Sequence, residues 1–296
     1  MNRVGKVAVL AVAAALSFMI SVASARPPRA DASPLKVSDN LPIRVQQAIA
    51  EQRLVDASRW LDEALLTGAQ DPKLWLARGE LNLARGRFVT AVEHFQRAQT
   101  EPTTRAAALE GEAIALLSAG QTQQAFNALK SAVAENPNAW RAWNALGSLH
   151  DQQQQWQEAQ SAYDKALIAS DDAAIVLNNR GYSLLLQGQR EAAIRDFTAA
   201  LRKQPALVSA LGNLRLALAL GGDYERAIAG GSPKDQAALL NNAGFAATVR
   251  GDLDKANELL SSALRTRTNY YDRAAENLKL TARLANEQRS ASHEQP

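Results

Sequence analysis

The chain has 296 residues and carries 33 lysines and arginines against 30 aspartates and glutamates, a formal net charge of +3. This near balance argues against a nucleic-acid-binding protein, because neutralising phosphates needs a concentrated basic face. The sequence has no cysteine, which excludes disulfides and thiolate metal sites. About one residue in five is alanine, the best helix former, so the composition favours an all-helical protein.

The first 25 residues have the pattern of a secretory signal peptide. A short basic start precedes the run from Val7 to Ile20, in which Ser17 is the only polar residue. Ala23, Ser24 and Ala25 then give the small-x-small motif of a cleavage site. We therefore expect cleavage after Ala25 and a periplasmic protein, soluble or peripheral to a membrane, with no membrane span. With no cysteine to acylate, we also expect no lipid anchor.

Residues 26–40 are rich in proline, serine and aspartate and show no periodicity, so they are predicted to be a flexible leader. Residues 41–268 then repeat a pattern of 34 residues about seven times. A small residue recurs near the middle of the first half of the unit, and an alanine follows twelve residues later. A large residue comes four positions after that alanine. Examples of the large residue are Phe95, Tyr163, Phe197 and Leu260.

This pattern predicts two helices per unit, joined by a short turn that often contains glycine. Small residues on the first helix, helix A, let the second, helix B, approach closely, and units must stack because no single pair buries its apolar face. The period and the offsets resemble those of the tetratricopeptide repeat (TPR). The resemblance implies an α-solenoid, a right-handed TPR superhelix.

The sixth unit departs from the pattern. Gly230 and Gly231 fall inside its second helix, and the spacing to the next unit drops from 34 to 29 residues. Two glycines inside a helix cost about 2 kcal/mol relative to alanine, so we expect the helix to end there and the solenoid to kink near residues 230–232. After the last unit, residues 269–286 are predicted to form a capping helix and residues 287–296 a disordered tail.

The sequence offers no catalytic constellation. Its three histidines are His94, His150 and His293, and none has a partner at metal-ligand spacing. Phosphate-binding loops, dinucleotide-binding loops and nucleophile elbows are also missing. We therefore expect a protein that is not an enzyme and that takes neither a cofactor nor a metal.

The TPR resemblance implies that helix A residues line a concave groove and contact an extended peptide or a partner helix. Asparagine matches the repeating donors and acceptors of an extended chain, and apolar side chains beside it form pockets. Asn179, Asn213 and Asn242 stand where many TPR units carry a structural asparagine. The predicted partner-binding residues are therefore Asn144, Asn178, Tyr182, Leu216, Asn241 and Phe245.

The stretches AWNALGSLHDQQQQWQEAQSAYDKALIASDDAAIVLNNRGYSLLLQGQREAAIRDFTAALR and NNAGFAATVRGDLDKANELLSSAL, with the following YDRAAENL, resemble the TPR component of the bacterial Tad/Flp pilus assembly machinery. That resemblance implies a periplasmic scaffold that helps to place the pilus secretin, with secretin components as partners. Alternatives are a chaperone or assembly factor for polysaccharide export or cytochrome maturation, or a regulator of peptidoglycan enzymes.

Overall fold

The structure, a computed structural model, describes residues 41–66, 71–170, 173–266 and 272–293. Every regular element in these ranges is an α-helix. The predicted signal peptide and leader lie outside the described residues. None of the described helices is long and apolar enough to cross a membrane.

The fifteen helices of the described ranges are α1 (Leu41–Ala50), α2 (Leu54–Leu66), α3 (Pro72–Ala84), α4 (Phe88–Ala98), α5 (Pro102–Ser118), α6 (Thr122–Glu135), α7 (Trp140–Gln152), α8 (Trp156–Ala169), α9 (Ala174–Leu186), α10 (Arg190–Lys203), α11 (Val208–Leu220), α12 (Tyr224–Ile228), α13 (Gln236–Arg250), α14 (Leu253–Thr266) and α15 (Asp272–His293). The odd-numbered helices α1 to α13 are the first helices of seven pairs, and the even-numbered helices are the second. The chain divides near residue 171 into an N-terminal unit, which holds α1–α8, and a C-terminal unit, which holds α9–α15.

In four pairs (α3–α4, α7–α8, α9–α10 and α13–α14), a glycine on the first helix lies directly under a large side chain of the second. A Cβ placed on Gly147 would lie 2.7 Å from the Tyr163 ring, and one on Gly181 would lie 2.8 Å from the Phe197 ring. Such distances leave no room for a methyl group, so only glycine allows the two helices to come this close. Tyr163 and Phe197 are fully buried as a result, and burying a side chain of that size contributes about 1.5–3 kcal/mol.

The turns between paired helices need a left-handed residue. Gly188, between α9 and α10, has φ +77°, and the corresponding glycines of four other pairs have φ between +71° and +88°. The α7–α8 turn has Gln154 at this place, with φ +57°. A side chain in this conformation costs about 1–2 kcal/mol relative to glycine, so this turn is locally strained.

The second helix of the sixth pair ends just before Gly230 and Gly231, as the sequence predicts. Helix α12 has five residues and ends at Ile228, and α13 begins at Gln236 after an irregular segment. Gly230 has φ +67°, a left-handed conformation in which a right-handed helix cannot continue. The kink of the solenoid near residues 230–232 stays a prediction.

The last helix is longer than the sequence predicts. The sequence predicts a disordered tail from residue 287, but α15 continues to His293. The residues from Glu287 to Ala291 include neither glycine nor proline, so nothing in the backbone stops the helix. Residues 294–296 lie outside the described part of the chain.

Candidate partner-binding face

The first helices of the C-terminal unit carry a regular row of apolar side chains. Tyr182 on α9, Leu216 on α11 and Phe245 on α13 stand at the same position of successive pairs, and each is half-buried. A second apolar residue follows each of them four positions later, one turn along the same face of the helix. We call these six residues the apolar row: Tyr182, Leu186, Leu216, Leu220, Phe245 and Val249.

The apolar row is anchored to the core beneath it. Tyr182, Leu216 and Leu220 pack against a cluster that contains the fully buried Phe197 and the buried Leu185. Because each side chain keeps part of its surface exposed, the row presents apolar area on a rigid base. Such a surface is better suited to binding than one made of flexible loops, because little conformational entropy is lost when it is ordered.

Asparagines stand one turn before the row on each of the three helices. Asn179 and Asn213 are half-buried, and Asn242 is exposed. Residues three apart on a helix share a face, so each asparagine lies beside an apolar residue of the row. The face therefore alternates apolar contact with groups that both donate and accept hydrogen bonds.

Two of the predicted groove asparagines are buried. Asn178 is 7% exposed and Asn241 is 2% exposed. Asn178 accepts a hydrogen bond of 2.9 Å from Asn213 and donates one of 3.1 Å to Asn179. These bonds join α9 to α11, so the amide of Asn178 serves packing between repeats and leaves almost no surface for a partner.

The same arrangement recurs at the end of the unit. Asn241 accepts a hydrogen bond of 2.9 Å from Asn277 and donates one of 3.2 Å to Asn242. Two turns further along α13 and one turn further along α15, the hydroxyls of Thr248 and Thr281 lie 2.7 Å apart, and both residues are buried. Helix α15 is thus held on α13 by two polar contacts, as a capping helix needs to be.

The remaining predicted residue lies elsewhere. Asn144 is on α7, in the N-terminal unit, and is half-buried. Of the six predicted residues, the structure therefore brings Tyr182, Leu216 and Phe245 together on one partly exposed face. Asn178 and Asn241 lie beneath that face, and their burial corrects the expectation that they line it.

Sequence reasoning missed three members of the row and the partner of Asn241. Leu186, Leu220 and Val249 each follow a predicted residue by four positions, so helical periodicity was a sufficient signal. Asn277 lies 36 residues after Asn241, close to the 35 that separate Asn178 and Asn213. That spacing extends the repeat into the capping helix.

The N-terminal unit has a different character on its first helices. Glu80 on α3 and Glu110 on α5 are half-buried, and burial raises the pKa of both carboxyl groups. Gln46 donates a hydrogen bond of 3.1 Å to Glu80, and Arg141 lies 3.7 Å from Glu110. The Gln46 hydrogen bond lowers the pKa of Glu80, and the charge of Arg141 lowers the pKa of both carboxyl groups, so these contacts partly offset the effect of burial.

A cleft of about 370 Å³ lies between α7 and α8. Lys165 covers the ring of Trp143 at 4.3 Å, and His150 lies 2.6 Å from the side-chain oxygen of Gln155. These side chains are engaged with one another, which fits packing better than ligand binding. Among the described residues, no group of three or more histidines, aspartates or glutamates is placed to hold a metal ion.

Comparison with known proteins identifies the repeat. The family model for the tetratricopeptide repeat matches residues 46–107, 111–174 and 178–230, more than half of the chain. No curated protein sequence matches the chain. Among solved structures, a tetratricopeptide repeat protein from Parabacteroides merdae is similar at 19% identity and a TM-score of 0.54, over 82% of this chain and 98% of that one.

Two further structures share the fold. The Cut9–Hcn1 hetero-tetramer of the APC/C is similar at 17% identity and a TM-score of 0.63, over 81% of this chain and 48% of that one. PilF of Pseudomonas aeruginosa is similar at 20% identity and a TM-score of 0.54, over 69% of this chain and 95% of that one. Identities this low show the fold alone. They confirm the all-helical TPR solenoid that the sequence predicts, and with the family match they show that this chain is a member of the tetratricopeptide repeat family, a protein-interaction scaffold fold.

Proposed function

We propose that this protein is a non-enzymatic periplasmic scaffold that binds an extended segment of a partner protein along the apolar row. Its role in this proposal is to assist assembly of a Tad/Flp pilus, with the secretin as the partner. The observation that carries the proposal is the apolar row itself, with exposed or half-buried asparagines one turn away on each helix.

The spacing of the row suits an extended chain. Neighbouring packed helices lie about 8–10 Å apart, and an extended peptide advances about 3.3 Å per residue. Every third residue of the peptide can therefore meet one helix of the row. Asn179, Asn213 and Asn242 stand where they can pair with the peptide groups between those residues.

Two features of the sequence support the cellular setting. The first 25 residues have the pattern of a cleavable export signal. The stretches over the fourth, fifth and seventh repeats, and the start of the capping helix, resemble the TPR component of the Tad/Flp machinery. A periplasmic scaffold with an apolar, peptide-sized face is suited to holding a secretin subunit before it joins its ring.

The test is secretin assembly in the bacterium that encodes the chain. We expect deletion of the gene to reduce the heat-stable secretin multimers of the outer membrane, and the full-length gene to restore them. A variant with Leu216→Gln and Phe245→Gln should fail to restore them, because polar side chains in the row remove the contact.

Leu280→Gln is the matched control, since Leu280 is an exposed leucine of the same unit, 36% exposed, on the capping helix α15. It should restore the multimers in full, and all variants should accumulate in the periplasm with unchanged helicity. Normal multimers after deletion would rule out the pilus role. Loss of a different envelope complex would assign the scaffold to that system.

A further inference from the structure

The sixth helix pair lacks most of its second helix. Helix α12 has 5 residues, whereas α10 and α14, its counterparts in the same unit, have 14 each. The missing nine residues correspond to about 13 Å of helix. In a complete pair this part of the second helix covers the beginning of the first.

The beginning of α11 is uncovered as a result. Leu211 is 37% exposed, whereas Leu177 and Leu240, at the same position of the neighbouring pairs, are 9% and 8% exposed. Val208, one turn earlier, is 82% exposed. A Cβ placed on Gly212 would meet no atom within 4 Å. The first two turns of α11 therefore present apolar side chains to open space.

The uncovered side points to where the absent helix would lie. Val208, Leu211 and Arg215 are spaced three and four residues apart and share one side of α11. Arg215 donates a hydrogen bond of 2.9 Å to the carbonyl oxygen of Ala229, just beyond the end of α12. Val208 and Leu211 therefore continue the line along which α12 would have run. Leu216 and Leu220 of the apolar row lie on another side of the helix.

The stretch from the end of α10 through α11 carries only positive charge. Residues 202–222 include Arg202, Lys203 and Arg215 and no acidic residue. Arg215 also replaces the small residue that the neighbouring pairs have as Gly181 and Gly244. A helix docking here would meet a guanidinium instead of a glycine, and basic side chains at the end of α10.

We propose that the uncovered side of α11 (Val208, Leu211 and Arg215) is a second docking site, filled in trans by an amphipathic helix with acidic residues along its edges from a partner protein. The helix takes the place of the missing part of the second helix of this pair. This site is distinct from the apolar row in both position and the conformation of its ligand.

The probe is a pair of peptides copied from α14, the second helix of the next pair, with blocked ends and a fluorescent label. One peptide has Lys255→Glu and Arg265→Glu, and the other has Asp254→Lys and Glu258→Lys. Both keep the apolar side with which α14 covers α13. Binding to protein comprising residues 26–296, which contain every described residue, is followed by fluorescence anisotropy.

We expect the acidic peptide to bind more tightly than the basic one by on the order of tenfold or more, because only the charges differ. Leu211→Glu should weaken the acidic peptide by on the order of tenfold, the loss expected for a partly buried leucine. Leu280→Glu, at a leucine of matching exposure on α15, should leave the affinity unchanged.

Three results would overturn the proposal: no binding of the acidic peptide, equal affinity for the two peptides, or equal binding by wild type and Leu211→Glu. Sedimentation of the free protein gives a fourth. If wild type dimerises, Leu211→Glu does not and neither peptide binds, the occupant is a second copy of this chain and not a partner helix. Far-ultraviolet circular dichroism checks that each variant keeps its helices.

Discussion

Two glycines inside first helices allow the effect of side-chain packing on stability to be separated from the effect of helix propensity. Gly181 and Gly212 both lie inside first helices of the C-terminal unit, but a Cβ on Gly181 would meet the Phe197 ring, whereas one on Gly212 would meet nothing. We predict that Gly181→Ala lowers the free energy of unfolding by about 1–3 kcal/mol through overpacking. Gly212→Ala should raise it by up to about 1 kcal/mol through better helix propensity.

Urea denaturation of the two variants and wild type measures both effects. The pair is informative because the chemical change is the same in each. Equal shifts in the two variants would show that the close approach of α9 and α10 does not depend on Gly181.

The half-buried carboxyl groups of the N-terminal unit predict a pH dependence. Burial raises the pKa of Glu80 and Glu110 in the folded state, so the folded protein holds these protons at pH values where the unfolded chain has released them. Their contribution is most favourable at low pH and is lost as the pH rises from the unfolded pKa through the raised one. We predict that Glu80→Gln with Glu110→Gln increases stability more at pH 7 than at pH 4.

Arg141 supplies the matching test, because its charge opposes the effect of burial on both carboxyl groups. Arg141→Ala should destabilise the protein at pH 7 and have less effect at pH 4. Melting curves of the variants at the two pH values decide the question, and a parallel shift at both would contradict the assignment.

Among the helices, the contact between α13 and the capping helix α15 rests on buried polar groups. Asn241→Ala would remove the acceptor of the 2.9 Å bond from Asn277 and leave that amide without its partner. We predict a loss of about 1–3 kcal/mol, because the buried Asn241 loses its hydrogen bonds and the half-buried amide of Asn277 loses its acceptor. The loss should be accompanied by faster amide hydrogen exchange in α15.

Asn257→Ala is the control, since Asn257 is an exposed asparagine of α14. It should change stability by a few tenths of a kcal/mol at most. If exchange in α15 were the same in the two variants, the Asn241–Asn277 bond would not be what holds the capping helix.

The helices were predictable from the sequence because their signals are local and repeated. The glycine of one helix and the large residue sixteen positions later, such as Gly181 and Phe197, recur at fixed offsets and specify a pair. The end of α12 followed from two adjacent glycines. The full length of α15 did not, because a polar helix without glycine or proline has no signal that distinguishes it from a tail.

The site was predictable only in part. Tyr182, Leu216 and Phe245 follow from the repeat, since their position within the pair places them on an open face. The roles of Asn178 and Asn179 could not be assigned from the sequence, because adjacent residues on a helix point about 100° apart and only the packing of α11 decides which is buried. The exposure of Leu211 could not be predicted from its own position in the repeat, because it depends on whether the end of α12 packs over it.

For the chain as a whole, the family match shows a protein-interaction scaffold fold, and its two units carry different side chains on their first helices. The C-terminal unit carries the apolar row, and its sixth pair carries the uncovered side of α11. The N-terminal unit has half-buried acidic groups on its first helices instead. The first helices of the two units therefore differ in their surface chemistry.

Site-specific photocrosslinking measures directly whether the apolar row contacts a partner in the cell. A photoreactive phenylalanine derivative would replace Phe245 in one strain and Leu280 in another, and crosslinked products would be identified by mass spectrometry. We predict one discrete partner protein from position 245 and none from position 280. The same products from both positions, or none from position 245, would contradict this prediction.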